Sequence, residues 1–286
     1  MEPLDLVSVV VRVMAFIATL QAAGLAWFVP ACGRTEASVS SAVNPLLRAS
    51  ALFGVLLVLT HRALDAGRLA GEWSGTVDPH LQGMVWGRRP GLSSALCAVG
   101  LLAVAVSTAK AIRRSHFVGP AGALCVAASF PLTGHTTEAL HAPALQLLVA
   151  VHVGLAAYWI GAVAALYRLA YQPDVDGLIW ATTRFSLTAV WMVPLILPAG
   201  VLLIWGLLPN VAALRTPYGG FLLAKGLGFA VLVLLAARNR LKVLPAMVAG
   251  ESGAIQMFRR TLVAEYVVLC GVLAATATMT SLFSWH

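Results

Sequence analysis

The chain has 286 residues, of which 60% are hydrophobic and only 10% charged, and its mean hydropathy is +0.88. A soluble domain of this length carries about a quarter charged residues, so the composition excludes an ordinary water-soluble enzyme and predicts one all-α polytopic membrane bundle over residues 1–286. The net charge of +8 sits at the ends of apolar runs, with no basic patch interleaved with aromatics. That distribution argues against nucleic acid and for contact with anionic lipid head groups.

A hydrocarbon core about 30 Å thick needs roughly 20 apolar residues per helix, and its backbone groups must pair within the helix. Eight spans meet this requirement, at residues 6–29, 46–64, 91–110, 117–133, 143–167, 185–208, 221–237 and 262–282. The first is too long for a removable signal peptide and lacks a basic leading region and a small-residue cleavage site. The second is crowded at its ends by Arg48, His61 and Arg62. Trp27, Trp86, Trp180, Trp205 and Trp285 fall at predicted interfaces, as an aromatic belt requires, whereas Trp159 lies well inside the fifth span.

Basic residues orient the bundle. Lys110, Arg113 and Arg114 follow the third span, Arg168 and Arg184 flank the loop after the fifth, and Arg238, Arg240, Lys242, Arg259 and Arg260 flank the loop after the seventh. These three loops are expected inside. The loop 134–142 holds no Lys or Arg, so it and both termini are expected outside. Segment 66–90 resists the scheme, because Arg68, Arg88 and Arg89 would then be external, offset in part by Asp65, Glu72 and Asp78. Cys97, Cys125 and Cys270 read as packing residues, and Cys32 has no partner at metal-site spacing.

With this topology His135, His141 and Glu138 stand at the outer mouth of the fifth span, and His152 about 14 Å into it, near the midplane. His141 precedes His152 by eleven residues, almost three whole turns, and Trp159 continues the same face. Neutral imidazole is a ligand for copper, zinc, nickel and iron, and copper(I) also takes thioethers, so Met192, near the midplane of the sixth span, joins the candidate metal set His135, His141 and His152. Pro194 and Pro198 interrupt the sixth span, a device membrane transporters use beside binding sites. Each residue taken alone has a plainer reading. A buried His is more often hydrogen-bonded to the next helix, a Met more often fills a gap, and Glu265 in the last span would pair with Arg240 or Arg260. No Ser/His/Asp, Cys/His or paired-carboxylate arrangement supports hydrolysis, and no P-loop or phosphorylatable aspartate motif supports ATP-driven pumping.

As a set, these residues resemble the CopD copper-resistance family of bacterial inner-membrane proteins. Gly134-His135, His152 and Trp159-Ile160-Gly161 are similar to its glycine-histidine, mid-helix histidine and tryptophan-x-glycine pattern. Arg184-Phe185-Ser186, Thr216-x-Tyr218-Gly219, Leu223, Lys225, Asn239-Arg240 and Glu265 follow in the family's order, and Arg12, Gly24 and Phe28 resemble its first helix. The likeness is strongest over 134–286. It implies about eight helices with periplasmic termini, and copper uptake (Cu+ or Cu2+) from the periplasm, with a periplasmic CopC-like carrier as donor and no enzymatic step. Copper would be taken by His135 and His141, pass to His152 with Met192, and leave past Glu265. His141 is not part of the resemblance, and the ending 280–286, which carries His286, departs from it. Two alternatives stay open: a b-type haem electron-transfer protein using His152 and His61 as axial ligands, and a copper-binding dock or sensor that does not transport.

Overall fold

The computed structural model describes residues 3–32, 36–109, 117–133, 142–207 and 214–282. Ten α-helices follow in order: α1 (Pro3–Ala31), α2 (Glu36–Ala70), α3 (Pro79–Trp86), α4 (Arg89–Ser107), α5 (Val118–Ser129), α6 (Ala142–Leu169), α7 (Val175–Leu207), α8 (Pro217–Arg238), α9 (Leu244–Val248) and α10 (Ala254–Leu282). A 3₁₀ turn (Trp73–Val77) precedes α3, another (Phe130–Leu132) prolongs α5, and a π-helical turn (Asn239–Val243) joins α8 to α9. No strand occurs among the described residues. The protein is an all-α, multi-pass membrane bundle.

Seven of these helices are long and apolar enough to cross a membrane: α1, α2, α4, α6, α7, α8 with its continuation to Val248, and α10. The fourth expected span exists but is shorter, covering Val118–Leu132. Several helices outrun the apolar stretches that announce them. α7 begins at Val175 rather than near 185, because Asp174 accepts a hydrogen bond from the Gly177 amide at 2.8 Å and Asp176 lies in the first turn, where the helix dipole favours an anion.

Segment 66–90 finds its place beyond the span. α2 runs on to Ala70 and stops at Gly71, whose φ of 74° suits glycine. Asp78 then caps α3 by accepting from the amides of His80 at 2.8 Å and Leu81 at 3.0 Å. Arg68 is neutralised by Asp5 at 3.0 Å and Asp65 at 3.7 Å, and Asp65 also holds Arg62 at 2.9 Å. Asp65 was expected to offset this charge. Asp5, from the far end of the sequence, was not.

Close helix crossings are made by glycine, as expected where lipid provides no hydrophobic drive and van der Waals contact must hold helices together. A Cβ on Gly24 would fall 1.8 Å from the Ala157 carbonyl oxygen, and one on Gly161 2.2 Å from the Gly24 carbonyl carbon. α1 and α6 therefore touch backbone to backbone. Gly100 and Gly122 do the same for α4 and α5, each Cβ landing 2.6 Å from the other's oxygen. α7 packs chiefly on α6 and α8 chiefly on α10, and the two touch each other little.

Two expected belt residues also act as clamps. Trp27 donates to the Pro120 carbonyl at 3.1 Å, and Trp180 to the Cys32 carbonyl at 2.8 Å.

Gly161→Ala is expected to cost about 2–3 kcal/mol through overpacking, read as lower resistance to denaturant in mixed micelles. Gly226→Ala, where a Cβ meets nothing within 4 Å, should be neutral or slightly stabilising. Equal stability of the two variants would contradict the α1–α6 contact.

Candidate functional site

His152 lies ten residues into α6, about 15 Å along its axis. Its ring is aimed at α7, where the absence of a side chain on Gly200 makes room: a Cβ there would sit 3.5 Å from the imidazole Cε1. The Ile196 backbone approaches the ring, and Lys225 of α8 is near enough to interact with it electrostatically. Nδ1 is nonetheless buried without a hydrogen-bond partner. A buried polar nitrogen left unpaired is unusual and calls for an explanation.

α7 remains helical through Pro194 and Pro198, although neither proline can donate to the carbonyl one turn earlier. Met192 is 4% exposed and shares the buried face of α7 with Ile196, one turn away. α6 and α7 run antiparallel, so Met192 is displaced from the His152 level toward the end of the bundle away from the termini. The two expected ligands thus face the same seam at different depths.

Two turns beyond His152, Trp159 is 2% exposed and stands edge-on to Phe229, their centroids 6.3 Å apart. Its indole nitrogen donates to Glu265 Oε2 across a long 3.4 Å. The Asn239 amide donates to Glu265 Oε1 at 2.5 Å, and the Thr261 hydroxyl donates to Asn239 Oδ1 at 2.5 Å. Glu265 is 1% exposed, and no cation pairs with it among the described residues. The expected structural pair with Arg240 or Arg260 is therefore replaced by neutral donors.

The π-helical turn accounts for this arrangement. The Leu244 amide bonds to the Asn239 carbonyl, widening one turn so that consecutive residues serve different helices. Asn239 reaches α10. Arg240 reaches α7, donating to the Ser186 carbonyl at 2.8 Å and hydroxyl at 2.7 Å. Such turns recur at functional sites.

A second buried chain adjoins the first. Tyr266 donates to Gln21 Oε1 at 2.5 Å and Gln21 Nε2 donates to Ser50 Oγ at 2.7 Å, linking α10, α1 and α2. Neither Gln21 nor Ser50 emerges from the sequence reading. Their signal was present, as uncharged polar side chains in the middle of apolar spans.

His135, Glu138 and His141 lie outside the described residues. Among the described residues no three His, Cys, Asp or Glu side chains gather at metal-holding distance. His61, which the haem alternative requires as a partner for His152, instead faces Asp65 at 3.7 Å, with Arg12, Arg62 and Arg68 nearby.

Comparison with known proteins places this geometry in context. The family model for copper resistance protein D matches residues 180–279, and that for the copper resistance protein D-like N-terminal domain matches residues 3–142. The copper transport protein CutJ of Bacillus subtilis (strain 168) is 28% identical over 266 residues, which is 87% of this chain and 47% of CutJ. The chain thus spans about half the length of that relative. No solved structure matches it.

Asn239→Leu removes a donor from Glu265 and the acceptor of Thr261, and should lower stability by about 1–3 kcal/mol. The loss is measured by denaturant titration with tryptophan fluorescence, which also reports on Trp159. Wild-type stability in that variant would show that the buried bonds hold nothing together.

Proposed function

The chain belongs to the CopD copper-resistance family, and from that membership we propose that it transports copper ions across the bacterial inner membrane, from periplasm to cytoplasm. The observation that carries the reading is His152: an imidazole deep in a helix bundle whose Nδ1 is buried and unbonded. Such a nitrogen has an open lone pair or proton at a depth where polar groups are costly unless used, and imidazole accepts copper readily.

The residues divide the task by depth. His135 and His141, with Glu138 beside them, collect copper at the outer mouth, delivered by a periplasmic CopC-like carrier. His152 takes the ion next, and Met192, on the same seam, provides a thioether toward the inner side. Lys225 acts on His152 electrostatically and its ammonium repels a cation, so His152 passes copper on rather than storing it. A conduction site must bind weakly enough to release. Glu265 lies beyond, held by Trp159 and Asn239 without a counter-cation. Its carboxylate offers an arriving cation the compensation that a buried anion itself requires. Copper is the cargo in either oxidation state, and none of these steps calls for enzymatic bond breaking.

His152→Ala should lower copper accumulation in cells by about ten-fold, the scale on which metal-site groups act, while immunoblotting finds the variant in the membrane fraction at normal level. Unchanged accumulation would refute the route. Sidedness is tested separately. Thr137→Cys, in a background with the four native cysteines replaced, should react with a membrane-impermeant maleimide added outside intact cells. Protection there, with labelling only in inverted vesicles, would reverse the proposed direction of approach.

A further inference from the structure

At the end of the bundle away from the termini, α1 and α7 border a groove of about 430 Å³ lined by Ala31, Arg184, Leu187, Thr188 and Trp191. Arg184 is exposed and lies over the Trp180 ring, 5.2 Å from its centroid. Five of the other twelve described arginines have an oxygen partner; Arg12 has the Thr280 carbonyl. Arg62 and Arg68 have Asp65 and Asp5, Arg240 has Ser186, and Arg259 has the Ala170 carbonyl. Among the described residues, no carboxylate lies within ion-pair distance of Arg184.

Among the described residues, the titratable neighbours of Arg184 supply no anion. Burial pushes the Cys32 thiol up to about 11, against the smaller opposing pull of Arg184, so it is uncharged at neutral pH. The other neighbour is the phenol of Tyr158. The Thr188 hydroxyl is already committed to the Arg184 carbonyl at 3.1 Å, so it lines the groove without offering a free proton.

Below Arg184 runs an apolar stripe. Leu187 and Trp191 follow Arg184 by three and seven residues on one helix face, a stretch of about 10 Å, and they are 53% and 79% exposed. Arg184 stands where the apolar run of α7 begins.

We propose that this groove binds one anionic phospholipid, its phosphate on the Arg184 guanidinium and the upper part of an acyl chain along Leu187 and Trp191 beside Ala31. Charge complementarity selects this occupant. A zwitterionic lipid brings its own cation, which competes with Arg184 for the phosphate, and free phosphate leaves the apolar stripe uncovered. The guanidinium fork suits phosphate oxygens, and Trp180 beneath it, an expected belt residue, suits the boundary between head group and chain.

The test is native mass spectrometry of the full chain released from micelles containing equal phosphatidylglycerol and phosphatidylcholine, a readout that involves no copper. Wild type should retain one phosphatidylglycerol in preference. Arg184→Gln should lower the preference roughly five-fold, and Arg184→Lys should restore most of it. Leu187→Glu, a surface change that places an anion in the groove, should abolish the preference, and Arg238→Gln should leave it intact. The proposal is overturned if Arg184→Gln and Leu187→Glu both keep the wild-type preference, if Arg238→Gln lowers it as much as Arg184→Gln, or if millimolar inorganic phosphate displaces the lipid.

Discussion

α1 and α6 meet at Gly24 and Gly161 with no side chain between their backbones, and much of the interior follows from that approach. One face of α6 is consumed by α1, so the residues on its remaining faces, His152 and Trp159 among them, must turn toward α7, α8 and α10. A larger residue at either glycine would push α6 outward and separate Trp159 from Glu265, a bond already near its limit at 3.4 Å. The small-residue crossing thus does more than hold two helices together. It sets the depth and direction from which every inward side chain of α6 operates.

Polar groups in the bundle are arranged by a second constraint, the absence of water at that depth. Gln21, Ser50 and Tyr266 satisfy one another, and so do Thr261, Asn239 and part of Glu265. Near the N-terminus of α1, Ser8 Oγ is buried without a partner, and two groups deeper in the bundle depart from the pattern as well. His152 keeps a buried nitrogen unbonded, and Glu265 has hydrogen-bond donors but no positive charge beside it. Both lie on the way from the half of α6 nearer the chain termini to the C-terminal end of α8. Unmet demand at successive depths along one path is what singles these two out.

The spans were legible in the sequence because hydrophobic length in a bilayer has one structural meaning. α7 was shortened in that reading because its first turns, from Val175 to Arg184, are amphipathic and continue the helix past the apolar run. His152 and Glu265 were legible too, as ionisable side chains inside apolar stretches. Their surroundings were not. That Glu265 meets Asn239 rather than an arginine depends on a π-helical turn with no local sequence signal, and on a contact 26 residues away. Gln21 and Ser50 escaped notice because neither carries an ionisable group to mark it within its span. The neighbourhood of Lys225 and His152 depends on how α8 leans against the bundle, which periodicity cannot express.

α7 and α8 each rest on essentially one neighbour and barely touch each other, whereas α1, α2, α4, α5 and α6 form a mutually braced block. Sliding or tilting either peripheral helix therefore breaks few protein–protein contacts and exchanges lipid for lipid along most of its length. Rearrangements within helix bundles proceed by moving one packed unit against another. In this chain the compliant unit is the outer pair and the rigid unit is the block, with their boundary running through the imidazole of His152.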